Sequence, residues 1–130
     1  MIGPVRMLIA CLAATMLLAG TATAQLGSKK VDEAGNLIYL ERMDNAQIGS
    51  VAVAQGKART AAQFRRPTRV FEEAITKGRN ALLNLSADFT PITGGEPIVS
   101  DGVAIGAVGV SGGTGDQDEQ CAKAGAALVQ

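Results

Sequence analysis

Between Gly94 and Gly125 the chain reads GGEPIVSDGVAIGAVGVSGGTGDQDEQCAKAG, and few supersecondary units fit that order of signals. Two apolar runs, Pro97–Val99 and Val103–Val110, flank Asp101-Gly102, a dipeptide that tolerates positive φ in a tight turn, so a β-hairpin is expected. Gly106 and Gly109 interrupt the second run, which points to close approach by another backbone or a ligand. The run breaks at Ser111-Gly112-Gly113. Two overlapping capping boxes follow, Thr114 with Gln117 and Asp116 with Glu119, and predict the start of a helix. In that helix Ala122, Ala124, Ala126, Ala127 and Leu128 form a small apolar face, with Asp118, Glu119 and Lys123 outward.

Upstream, Gly35-Asn36 reads as a turn and Leu37–Met43 as a strand. Gly49–Phe64 reads as a helix with Ser50 as N-cap and Val51, Ala54, Ala58, Ala61 and Ala62 near one face; Pro67 ends it. Thr68 caps a second helix, Arg69–Thr76, with Val70, Phe71 and Ala74 inward, and Lys77-Gly78 stops it. Asn80–Leu85 is a further helical turn. Strand, helices, strands and helix without a βαβ alternation give an α/β (α+β) fold, an antiparallel sheet with packed helices.

The segments GGEPIV and IGAVGVSGGTGDQDEQCAKAGAAL resemble the C-terminal signature of the GlcG/HbpS-like (DUF336) family of haem-binding proteins. VDEAGNLIYL (Val31–Leu40), ERMDNA (Glu41–Ala46) and GSVAVAQGKARTAAQFRRPT (Gly49–Thr68) resemble it too, in the family's order. The resemblance implies a profilin-like sandwich, haem or a related small molecule as ligand, and assembly into homo-oligomers. Family members place an amphipathic helix and a central strand before the VD-x-x-G-N turn. Here little chain is left for them, so a shortened domain lacking the first helix and first strand is expected.

The amino terminus reads as a signal peptide over residues 1–24. Arg6 is its basic region, Met7–Ala19 its apolar core and Ala22-Thr23-Ala24 its cleavage pattern. Cys11 falls inside that core. Removal would leave residues 25–130 as an exported, periplasmic or secreted domain with Cys121 as its single cysteine, no disulfide and no stable membrane anchor.

The chain carries 12 basic and 12 acidic residues, one Tyr and no Trp, which argues against a nucleic-acid partner. Gly109-Val110-Ser111-Gly112-Gly113 matches the G-x-S-x-G pattern, but the chain has no histidine to activate Ser111, so no catalytic residue is assigned. The glycine-rich loop ahead of the last helix reads as an anion cradle or as a tight turn with a capped helix. The acids behind it favour the turn, since they stabilise a helix start and repel phosphate. Asp116, Asp118 and Glu119 lack the spacing of a calcium loop.

Haem binding needs an apolar slot, cations for the propionates and, for strong coordination, an iron ligand. Cys121, Met43 and Tyr39 are the candidate ligands by chemistry, each with a packing role as the alternative reading. Arg42 and Lys57 are the candidate propionate partners, or surface charges. The expected site is where Arg42, Lys57, Gly94, Gly95, Pro97, Ser111, Gly112 and Gly113 converge. The functional expectation is an exported haem- or small-ligand-binding protein. Its alternatives are a haem-degrading enzyme, and a non-catalytic oligomerisation module or non-functional truncated paralogue.

Overall fold

A computed structural model describes residues 21–23 and 33–128. Its elements are β1 (Thr21–Thr23), β2 (Glu41–Arg42), α1 (Ile48–Phe64), α2 (Thr68–Thr76), a 3₁₀ turn (Asn80–Asn84), β3 (Gly95–Ser100), β4 (Val103–Ser111) and α3 (Gly115–Ala127). The sheet is antiparallel, in the order β2-β1-β4-β3.

Alternation along β4 builds the layers. Successive strand residues face opposite sides of a sheet, so Ala107 joins Ala61 and Ala62 of α1, while Val108 and Val110 join Ile98 of β3 and Ala122 and Ala126 of α3. The result is a sheet held between α1 and α3. Gly109 points at α1, where a Cβ would run into the Ala54 carbonyl and the Ala58 amide. The close approach expected at this glycine is that of a helix backbone, and it lets α1 lie directly on β4.

The hairpin forms with Asp101 (φ 51°) and Gly102 (φ 77°) both left-handed, as a two-residue turn matched to strand twist requires. A bulge between Ile98 and Val99 shifts the register beyond Pro97↔Ala107 and Ile98↔Gly106. Of the two capping boxes only Thr114 with Gln117 closes. The helix therefore starts at Gly115, which puts Asp116 in its first turn.

Several expectations need correction. Ordered strand pairing covers only Glu41–Arg42 of the expected Leu37–Met43 strand, and Leu37, Ile38 and Tyr39 stay exposed. Ser50 is no cap; α1 begins earlier, at Ile48, and buries Ser50 together with Lys57 and Thr60. Thr68 lies inside α2, fully buried, and its hydroxyl accepts the Gly95 amide at 2.9 Å, so it ties the helix to β3. Val70 is exposed and Phe71 takes the inward position, in edge-on contact with Phe64 and Phe89 at centroid distances of 5.4 and 5.2 Å. Asp118 and Glu119, expected outward, are buried, because each has a cation partner from another element.

The apolar core of the expected signal peptide, Cys11 and Ala24 lie outside the described residues. Thr21–Thr23, from the same segment, fills the slot between β2 and β4. There Thr21 pairs with both Arg42 and Ser111. Among the described residues no helix is long and apolar enough to cross a membrane.

Candidate functional site

The residues expected to converge fall into two groups. Lys57, Gly94, Gly95 and Gly113 meet around a buried ion pair. The Lys57 ammonium donates to Asp118 Oδ2 and to the Val110 carbonyl, both at 2.9 Å, with the side chains 2% and 5% exposed. The Gly113 amide donates to Asp118 Oδ1 at 2.9 Å. Gly94, at φ +125°, lies so close that a Cβ would sit 2.9 Å from Lys57 Nζ and 2.8 Å from the Val110 carbonyl. Gly95 packs on the Lys57 backbone and on Thr68.

This geometry follows from the sequence pattern. Lys57 occupies the alanine stripe of α1, so the fold that buries the stripe carries an ammonium inside, and a buried charge has to be paired. Asp118 supplies the pair from α3, and both its oxygens are engaged. The centre is packed shut. In this structure the ammonium serves Asp118 and Val110, and the glycines give it room.

Of the second group, Ser111 and Gly112 stand in the chain between Val110 and Gly113 of that centre, while Pro97 lies further along β3 and Arg42 two strands away from β4, on β2. Pro97 is half-buried in β3, Ser111 is buried at the end of β4, and Gly112 is exposed beside it. Arg42 lies across β1 from Ser111, at the same level of the sheet. Its guanidinium is exposed and donates to the Ala46 carbonyl at 3.2 Å.

The three candidate iron ligands are spread out. Cys121 is half-buried in α3 and packs against the Ile98–Val108–Val110 cluster. Met43 is half-buried just after β2. Tyr39 is exposed within the Leu37–Tyr39 run, and its hydroxyl donates to Glu41 Oε2 at 3.1 Å; that bond raises the phenol above its usual range. No set of three or more Cys, Asp or Glu side chains among the described residues is arranged to hold a metal ion.

A second polar centre lies where α2 meets α3. Arg69 bridges to Glu119 Oε1 at 2.8 Å and also pairs with Asp116. Hydrogen bonding to these carboxylates raises the guanidinium and lowers Glu119. Beside it opens a cleft of about 370 Å³, lined by Arg69, Glu72, Lys77, Thr93, Thr114 and Asp116 among others. Glu72 forms part of its wall by accepting both the amide and the hydroxyl of Thr93, the amide at 2.7 Å. The lining is charged and hydroxylic, which suits a small polar solute better than a macrocycle.

Asp118, Arg69, Glu119 and Glu96 were missed as site residues by sequence reasoning. One of them left a trace of its own: Glu96 stands two residues before Ile98, on the strand face that should be apolar. Asp118 was signalled only through its partner, Lys57, which interrupts an alanine stripe.

The family model described as "Haem degrading protein HbpS-like" matches residues 10–127. Protein GlcG of Escherichia coli strain K12 is 43% identical over 105 residues, covering 77% of this chain and 78% of GlcG. The crystal structure of HbpS superposes with a TM-score of 0.76 at 27% identity, covering 95% of this chain and 82% of that one. The PduOC:heme complex shares the fold at a TM-score of 0.76 and 23% identity, over 97% and 88% of the two chains. A match across the whole described domain, together with GlcG's identity over most of its length, decides the relationship: the chain belongs to the HbpS-like family.

Proposed function

We propose that this protein binds haem, or a related planar small molecule, on the exposed segment Leu37–Arg42. Membership of a family described by haem degradation is the observation that carries the ligand class, and PduOC, which shares the fold, has been crystallised with heme. In this chain Leu37, Ile38 and Tyr39 are 49%, 48% and 42% exposed, an apolar run of three consecutive residues, with Arg42 beside it. Such a run fits a macrocycle face, Arg42 fits a propionate, and a phenol is a known haem-iron ligand. Cys121 fits less well, since α3 holds it against the core. Bound haem would supply iron chemistry. The chain's own part is to offer apolar area, a cation and a phenol whose hydrogen bond to Glu41 has to give way, with loss of its proton, before the oxygen can ligate iron.

Haemin titration of the full chain tests this. A saturable Soret shift, altered in position by Tyr39→Phe and weakened by Arg42→Ala, is the expected result; no saturable shift overturns the reading. A haem-degrading activity is the second reading, favoured by the family description. Loss of the bound Soret band on adding a reductant and oxygen supports it, and a stable band rejects it.

Export is the remaining part of the proposal, motivated by the pattern of residues 6–24. Its measure is the intact mass of the protein recovered from a periplasmic fraction. A chain starting at Gln25 supports export, in which case β1 leaves with the removed segment; a chain starting at Met1 opposes it.

A further inference from the structure

Glu96 lies on β3, on the face that α3 covers, two residues before the fully buried Ile98. It is 6% exposed, and its Oε1 has no hydrogen-bond partner. The carboxyl of Glu119, itself buried on the α3 face that covers β3, adjoins that of Glu96 and pushes its ionisation up. Glu119 is held from two sides, by Arg69 of α2 at 2.8 Å and by Lys123 of its own helix at 3.3 Å. Lys123 and Arg69 offset the push on Glu96 only in part, since both are already engaged by Glu119. From β4 it faces Val108, and the cation of α1, Lys57, is committed to Asp118. Two adjoining carboxyl groups out of water do not both ionise without a large cost, and they titrate as a pair.

We propose that Glu96 and Glu119 share one proton in the folded protein, and that this proton fastens α3 to β3 while Arg69 extends the same fastening to α2. When the proton passes to solvent base, two carboxylates face each other beneath α3, with Arg69 and Lys123 left to serve both. The contact of α3 with β3 then loosens around Glu119, while Asp118 stays tied to Lys57. Arg69 and Asp116 also line the 370 Å³ cleft, so the loosening reaches that cleft. Burial, the leading cause, and the neighbouring Glu119 together raise Glu96 to about 7, which places the change in the neutral range.

Hydrogen exchange read by mass spectrometry on the full chain, corrected for intrinsic exchange at each pH, tests the proposal. Between pH 6 and pH 8.5, protection of α3 amides relative to α1 amides is expected to fall by about tenfold or more in the wild-type chain and to stay level in Glu96→Gln. An equal fall in Glu96→Gln, or none in the wild type, overturns it. Should Glu96→Gln fail to fold, the carboxyl-carbon NMR titration of the wild-type chain decides. One glutamate with a near-neutral midpoint supports the shared proton, and glutamates that all titrate in the ordinary acidic range reject it.

Discussion

Lys57 of α1 and Asp118 of α3 approach each other from opposite faces of the sheet and meet at 2.9 Å beside its end, where the Val110 carbonyl takes a second ammonium hydrogen. The two helices are separated by the sheet, yet one ion pair joins them. Removing either partner strands the other as a buried charge, which costs about 3–5 kcal/mol. Lys57→Ala and Asp118→Ala are each expected to lose that much in urea unfolding. The double variant Lys57→Met with Asp118→Leu is expected to lose less than either, because no charge is then left unpaired.

Gly109→Ala puts a methyl group into the backbone of α1 at Ala54 and Ala58. A backbone contact cannot rotate away, so the helix has to move off β4. Overpacking of this kind costs about 1–3 kcal/mol. A matching fall in Tm is expected, with Gly102→Ala as the comparison: Gly102 has open space around it and pays only for its left-handed φ.

The pH dependence of stability has two limbs of opposite sign. Glu96 is raised in the folded state to about 7, so its contribution is full below the unfolded value and is lost as pH climbs from about 4.5 to about 7. The difference corresponds to an upper limit of about 3 kcal/mol. Glu119 is lowered by Arg69, so its contribution is present above the unfolded value and is lost as pH falls. Chemical denaturation from pH 3 to pH 9 is expected to show a maximum in the mildly acidic range. Glu96→Gln should flatten the alkaline limb and leave the acid limb in place.

Arg69→Ala removes the bridge from α2 to both Asp116 and Glu119. A lower Tm is expected, and the difference from wild type should shrink at high salt, because the guanidinium is solvent-accessible and its pairs are screened. Arg69→Lys is expected to recover only part of the loss, since one ammonium cannot span two carboxylates as a planar fork does.

Much of the architecture could be read from local chemistry. Asp101-Gly102 set the hairpin, Thr114 with Gln117 set the start of α3, and Pro67 with Lys77-Gly78 bounded α2. These signals act over a few residues and need no partner. The candidate site was less legible because its interactions span large sequence separations. Lys57 and Asp118 are 61 residues apart, and Arg69 and Glu119 are 50 apart. A charged residue on an apolar stripe announces that a partner exists and gives no hint of which one. Asp118 and Glu119 looked like the solvated face of an amphipathic helix because their cations come from α1 and α2. The exposed Leu37–Tyr39 run was misread for the converse reason: three apolar residues looked like strand interior, but only Glu41 and Arg42 find pairing partners.

The sheet order gives Thr21–Thr23 an importance out of proportion to its length. Among the described residues β2 pairs within the sheet with β1 alone, so three residues of backbone carry the Tyr39–Arg42 side across to the hairpin. Outside the sheet the same side is tied to α1, where Gln63 donates to the Ala34 carbonyl at 3.1 Å. Whatever withdraws β1, whether removal of the amino-terminal segment, a protease or a competing strand from another copy, frees β2 from the sheet while the Lys57–Asp118 knot stays tied. Repeating the haemin titration on a chain that starts at Gln25 therefore reads whether the proposed surface needs the sheet behind it.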